Sequence, residues 1–375
     1  MKIEFNDLKT QYLLNKTKIN NNITRVLKHG KYILGPEVYK LEKKIIDFCG
    51  CKYCITTSSG TDSLLICLMV SNISKDDYVL IPSFTFTATA EVVMLLGAVP
   101  IFLDVEYTDF NLDINKFQDK IKNLKKKNIH PKALISVDLY GYPCDYDSIK
   151  KICKKHNIIH ISDAAQSFGS EYSSNKIGNL ADMTALSFFP SKPLGGYGDG
   201  GAFLTNNKVL ADMAISIRSH GKGNAKYQIK RIGLNARLDT IQASVLLIKL
   251  EILKKELTYR ERNSKLYDKH LKNHVILPPR NIIKKSAWAQ YTIKVKNRDK
   301  IKNFLFKKNI PTMIYYPLPM HLQNAYKKNN ILIDDITISQ KLSDVVLSLP
   351  MSPYLKKNQI IYISDKLKEA LSLFN

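Results

Sequence analysis

The sequence predicts an α/β fold: a large first domain built on a mostly parallel sheet covered by helices, followed by a smaller α+β domain at the C-terminal end. Three observations carry this expectation. Short apolar runs alternate with helical runs of about ten residues from Pro36 to Phe189, the pattern of strands joined by crossover helices. A long periodic segment then begins at Asp239 and continues to about residue 272. Finally, 375 residues exceed what one small core organises, and no repeat, low-complexity tract or Gly/Ser linker separates the parts, so two unequal domains should pack together.

The elements follow in order. From Pro36, the residues Val38, Leu41, Ile45 and Phe48 fall on one helical face, and KYCIT after them reads as a short buried strand. SLLICLMV is helical, YVLIP a strand, Thr87 to Leu96 a helix, and VPIFLDV a strand. KALISVDLY, a helix near 146–156, IIHIS and MTALSFF continue the alternation. Asp239 and Gln242 read as an Asp variant of a capping box opening the long helix. Beyond it, AQYTIKV, a helix over 298–307, a strand at PTMIYYP and a last helix form the smaller unit. The expected division is 1–250 for the large domain and 251–375 for the small one.

Composition narrows the function classes. No window approaches eighteen uncharged apolar residues, and the first residues mix charge with apolar side chains; a cytoplasmic protein without a membrane span is expected. The formal charge is +24, but the excess is mostly Lys spread over helices and loops, with no Arg-rich or aromatic-interleaved module. That distribution argues against a nucleic-acid partner, while a positive field would favour an acidic substrate. Six cysteines occur, three of them at Cys49, Cys51 and Cys54. They lack a second ligand pair at zinc spacing, so no metal is expected and reduced, mostly buried thiols are.

The most informative stretch runs from Ser187 through Lys192 to Gly201. Gly196, Gly198 and Gly201 satisfy the dinucleotide fingerprint, yet the residues that follow read as a strand where that fingerprint requires a helix. What remains is a lysine at the end of a buried strand, in a glycine turn. Poor solvation there favours the neutral, nucleophilic amine that a Schiff base requires; taken alone, the segment also suits a surface lysine. Asp163 and Gln166, in Asp-Ala-Ala-Gln, stand at another predicted strand end, where open sheets bind ligands. A carboxylate there can pair with a protonated pyridine nitrogen, as in pyridoxal enzymes, or simply cap a helix. Ser59-Gly60-Thr61-Asp62 opens a helix after a strand and offers N–H groups to a phosphate, or is only a turn.

Together SSGTDSL, PSFTFTATAE, SDAAQSFG, SFFPSKPLGGYGDGGA, GLNARLDTIQA and YYPLP resemble the DegT/StrS-type sugar aminotransferases, within the fold type I pyridoxal-phosphate enzymes. The resemblance extends from ILGPEV to SLPMSPYL. It implies pyridoxal 5′-phosphate as cofactor, a nucleotide-linked keto sugar as acceptor and a homodimer with shared active sites. SFFPSKPLG with GPEV looks most like enzymes that aminate UDP-2-acetamido-2-deoxy-3-oxo-glucuronic acid from L-glutamate, for surface polysaccharide. Another UDP- or dTDP-linked 3- or 4-keto hexose, or a non-catalytic regulator, are the alternatives.

The same resemblance assigns roles to residues of this chain. Lys192 would hold the cofactor and shuttle a proton. Asp163 would pair with the ring nitrogen, Gln166 with the ring oxygen, and Phe86 would stack on the ring. Gly60, Thr61, Asp62 and Ser187 would line the phosphate, with Asn235 reaching it from the other subunit. Arg237, Tyr316 and His220 would face the substrate. Many relatives read His-Tyr-Pro where this chain has Tyr315-Tyr316-Pro317, which leaves the sugar preference open.

Overall fold

Among the described residues, eight α-helices and a seven-stranded sheet build the first part of the chain, and the ends of several of its strands gather the residues of interest. The computed structural model describes residues 2–225, 227–327 and 336–374. Its strands are β1 (Tyr53–Thr57), β2 (Tyr78–Pro82), β3 (Val99–Leu103), β4 (Ala133–Val137), β5 (Ile159–Asp163), β8 (Met183–Ser187) and β9 (Gly201–Thr205), with β6 (Glu171–Tyr172) and β7 (Asn175–Lys176) forming a hairpin outside the sheet. The order is β1-β9-β8-β5-β4-β2-β3. Only β9 runs against the others, pairing antiparallel with β1 and β8. The mostly parallel α/β sheet expected from the sequence is therefore present.

Helices cover both faces, as a parallel sheet requires. On one side lie α2 (Pro36–Cys49), α5 (Ile114–Lys126), α6 (Tyr146–His156) and the start of α8 (Thr240–Leu271). On the other lie α3 (Gly60–Val70), α4 (Ala88–Leu95) and α7 (Lys208–Arg218). Side-chain alternation divides each strand between the two cores: in β2, Val79 and Ile81 pack on one face and Leu80 on the other. The six cysteines are free and buried, and burial pushes the Cys51 thiol up to about 11. Among the described residues no helix is long and apolar enough to cross a membrane.

A helix that the periodicity reading did not include, α1 (Leu8–His29), packs along α8. It is mostly polar, and only Gln11, Ile19 and Val26 are buried. The C-terminal unit has β11 (Tyr291–Lys294) paired with β12 (Val346–Leu349), after a two-residue β10 (Lys284–Lys285) that joins the hairpin of β6 and β7. Its helices are α9 (Arg298–Lys307), the single turn α10 (Asn324–Lys327), α11 (Thr337–Val345) and α12 (Lys357–Phe374).

Two expectations are corrected. PTMIYYP is not a strand: Met313 makes one bridge to Ser348, and the chain then leaves the sheet, because Pro311 and Pro317 lack the N–H a ladder needs. Asp239 precedes α8 but its side chain makes no cap bond. Gln242, expected to complete that capping box, instead accepts from the Tyr197 N–H at 2.8 Å in the glycine turn. The boundary at residue 250 falls inside α8, one continuous helix that serves both parts. Leu253 belongs to the sheet core, whereas Tyr267 and Leu271 belong to the C-terminal core, which also takes in Ile3.

Candidate active site

The ends of β1, β5 and β8 lie together, since Thr57 and Ser187 both pair with Gly201, and Asp163 with Ala185. After β1 the chain turns through Ser58 and Ser59 into α3. The Ser59 hydroxyl accepts from the Asp62 N–H at 3.0 Å and caps the helix. The Asp62 carboxylate in turn accepts from the hydroxyls of Ser58 and Ser59. Asp62 thus braces the turn, and any effect on a bound anion passes through these serines. The N–H groups of Gly60 and Thr61 have no acceptor among the described residues, so they and the positive end of α3 remain free for an anion.

Two glycines make this approach possible. A Cβ on Gly60 would fall 2.6 Å from the Ser187 Cβ, and one on Gly201 would fall 2.4 Å from the Ser59 carbonyl oxygen. Ser187, whose hydroxyl also accepts from the Phe189 N–H at 3.3 Å, therefore sits directly against the start of α3.

Asp163 is buried at the end of β5, where its carboxylate accepts from the Thr89 hydroxyl at 2.9 Å and the Ala165 N–H at 3.2 Å. Burial holds its carboxyl above the ordinary range, opposed by those two bonds and by the charge of Lys192. Lys192 follows β8 in a turn closed by its own N–H to the Phe189 carbonyl at 2.9 Å. Desolvation lowers its amine, and the nearby Asp163 opposes that shift. The two groups are electrostatic neighbours in a poorly solvated site. Each is held nearer neutrality than it would be in water.

Gln166 is buried beside them, accepting from the Tyr140 N–H at 2.6 Å and donating to the Tyr316 hydroxyl at 3.4 Å. Burial raises the Tyr316 phenol, and Asp163 adds to the rise. The Phe86 ring lies 6.2 Å from that of Tyr316 and is 54% exposed. A large apolar face left open above a polar cluster is a stacking surface. A cavity of about 440 Å³ lies beside Phe86, Tyr316 and Gln323. A larger one, about 960 Å³, opens at the opposite end of the strands around Asn72 and Asn157, away from this chemistry.

Three predicted residues do not join the cluster within this chain. Asn235 is exposed, on a segment tied to the sheet edge by the Ser58 N–H to the Ala236 carbonyl at 3.1 Å. Arg237 donates to the Asn235 amide oxygen. His220 is exposed as well, with its N–H on the Leu234 carbonyl at 2.8 Å. Conversely, sequence reasoning passed over Thr89, Tyr140 and Gln242. Thr89 had a signal, being a hydroxyl between two alanines at the start of the helix that follows β2. Tyr140 and Gln242 act through contacts remote in sequence; no local pattern marks Tyr140, and the one around Gln242 reads as a helix cap.

This arrangement offers free N–H groups and a hydroxyl for a phosphate, a buried carboxylate for a cationic nitrogen, and an amine short of its full charge. The model of the DegT/DnrJ/EryC1/StrS aminotransferase family matches residues 14–368. UDP-2-acetamido-2-deoxy-3-oxo-D-glucuronate aminotransferase from Pseudomonas aeruginosa is 43% identical over 357 residues, covering 94% of this chain and 96% of its own length. A DegT DnrJ EryC1 StrS aminotransferase from Brucella abortus superposes with a TM-score of 0.96 at 42% identity, covering 98% and 99% of the two chains. DesV from S. venezuelae gives 0.92 at 31% identity, covering 99% and 98%. The chain belongs to the DegT/DnrJ/EryC1/StrS aminotransferase family.

Proposed function

We propose that this sugar aminotransferase uses pyridoxal 5′-phosphate to convert UDP-2-acetamido-2-deoxy-3-oxo-glucuronic acid to its 3-amino sugar, with L-glutamate as donor. The observation that carries the reading is a desolvated Lys192 within electrostatic reach of the buried Asp163, at the strand ends that also meet the N-terminus of α3. The identity of the acceptor leans on the 43% relative, whose name states that substrate. Cytoplasmic location, supported by six free thiols, and a role in lipopolysaccharide O-antigen or other surface polysaccharide synthesis complete the proposal. So does a division into two units that meet along α8.

The residues fit the cofactor. The Gly60 and Thr61 N–H groups and the Ser187 hydroxyl would hold its phosphate, and the missing Cβ of Gly60 is what lets the start of α3 lie against Ser187. Asp163 would keep a proton on the ring nitrogen, Gln166 would meet the ring oxygen and Phe86 would cover one face. When bound, the cofactor supplies an electron sink for the pair left by a departing α-proton. Lys192 would be the group that retains it covalently. In its neutral form Lys192 would take that proton and give it back, a task suited to an amine that desolvation has lowered. Two chains form a homodimer, each supplying Asn235 and Arg237 to the other's site.

Two measurements test this. Borohydride reduction should fix the cofactor on the Lys192 peptide, and recovery on another lysine overturns the assignment. With glutamate, the UDP-linked 3-oxo uronic acid should turn over faster than its neutral hexose counterpart. Equal rates would remove the acidic substrate from the proposal.

A further inference from the structure

Residues 2–7 cross from the C-terminal core to the turn that carries Lys192. At the far end Ile3 is buried in that core, the Lys2 carbonyl accepts from the Gln359 side chain at 2.9 Å, and the Phe5 carbonyl accepts from the Met351 N–H at 3.1 Å. The Phe5 ring meets Tyr315 edge-on at 6.3 Å, one residue before Tyr316. At the near end the Asn6 amide donates to the Ser191 carbonyl at 3.1 Å, immediately before Lys192. Asn6 and Asp7 then share the lining of a small space with Lys192, Arg260 and Tyr354.

The segment is fixed beyond Asn6 too. Asp7 caps α1 through the Thr10 N–H at 2.9 Å, and Gln11 donates to the buried Glu256 of α8 at 2.8 Å. So short a piece of chain, anchored on both sides, has little freedom to move independently of what it holds. The carbonyl of Ser191 belongs to an irregular turn, and the Asn6 amide is a contact to it from a different part of the chain.

We infer that residues 2–7 form a strap that sets the position of the Lys192 turn against the Tyr315-Tyr316 segment, with Asn6 as a positioning residue for Lys192. Asn6 itself does no chemistry; it fixes the carbonyl next to the residue that does. Through Phe5 and Met351 the same strap ties the placement of that turn to the C-terminal unit. This inference rests on the proposed role of Lys192, which borohydride labelling of the wild-type protein tests separately.

Asn6→Ala removes the donor, and Asn6→Asp keeps the shape while setting an acceptor against a carbonyl. In both variants kcat should fall on the order of tenfold or more, since small displacements of a reacting group are that costly. KM for glutamate and the melting temperature should stay at wild-type values. Hydrogen exchange of the peptide spanning residues 188–196 should accelerate in the cofactor-free full-length protein, a readout independent of turnover. Wild-type kcat together with wild-type exchange in both variants overturns the inference. A lowered melting temperature with normal kcat per folded molecule overturns it as well, because it reduces Asn6 to a structural role. Failure of borohydride to label Lys192 would instead discard the premise before any Asn6 variant is made.

Discussion

The strand-end cluster and the segment around Asn235 are both rich in predicted site residues, but the chain treats them in opposite ways. Asp163, Gln166, Ser187 and Lys192 are drawn together by the sheet, and most of their polar atoms already have partners. Asn235, Arg237 and His220 point outward on an irregular stretch at the sheet edge, and the bond from Arg237 to Asn235 is made at the surface. One chain can therefore pre-organise the proton chemistry by itself. What it presents from the outer segment is left for something that docks there. In the proposed homodimer a second copy of the chain would satisfy that need symmetrically.

The sharpest way to break this contrast is to damage each region in a different copy. Lys192→Ala should lower turnover on the order of a thousandfold or more, as loss of a covalent and proton-transferring group does. Asn235→Ala should also be nearly inactive. Mixed dimers of the two variants should recover about half of wild-type activity, because one of the two sites then holds both native residues. Mixed dimers that form yet stay inactive would place Asn235 in its own chain's site and end the distinction between the two regions.

Next in size is Asp163→Asn, which retains the shape of the inner cluster and removes its negative charge. Turnover should fall on the order of a hundredfold. Cofactor retention, followed by visible absorbance after gel filtration, should persist, since the proposed phosphate contacts are elsewhere. Near-wild-type turnover would show that Asp163 merely bonds Thr89 and Ala165.

The inner region also explains what the sequence made legible. Strands that end in Asp163 and Ser187 are short, apolar and followed by turns, so periodicity finds them and their ends. Gly60 and Lys192 stand in local motifs. Polar α1 gave no such signal, because it is held by a few long-range contacts such as Gln11 to Glu256 and Asn22 to the Ser244 carbonyl. Gln242 reads as part of a cap, and only the fold reveals that the glycine turn competes for its side chain. Tyr315 and Tyr316 read as strand, yet their neighbouring prolines deny them a ladder, and the fold uses the segment to face Gln166.

A third test concerns the rigidity of the sheet beneath the inner cluster. His160 lies on β5, three residues before Asp163, buried beside the Ser136 hydroxyl at 2.8 Å. Burial lowers its folded pKa to about 3 from an ordinary 6.5. A depressed folded value means that its contribution to stability is present above the unfolded pKa and is lost as pH falls through the folded one. Between about pH 6.5 and 3, His160 should thus remove up to roughly 1.4 kcal/mol per pH unit. Denaturant melts of wild type and His160→Gln should diverge in slope over that window and run parallel above it. Parallel behaviour throughout would mean that the imidazole is solvated and the strand less tightly packed than the outer segment's contrast requires.

The smallest effect should come from the outer region, through Arg237. Its guanidinium is partly exposed and bonded to Asn235, so solvent screens any contact it makes, and an exposed pair contributes little. In a site closed by the partner subunit, a bond to a carboxylate would gain strength, toward the roughly 1.5–3 kcal/mol of charged hydrogen bonds. An intermediate position gives a preference of roughly tenfold in kcat/KM for the uronic acid over the neutral sugar. Arg237→Ala should erase most of that preference by lowering turnover of the acidic sugar while leaving the neutral one unchanged. Arg237→Lys should restore only part, because a point charge replaces a planar two-pronged donor. If both substrates lose activity equally, Arg237 serves Asn235 and the dimer contact, and substrate charge is read by another residue.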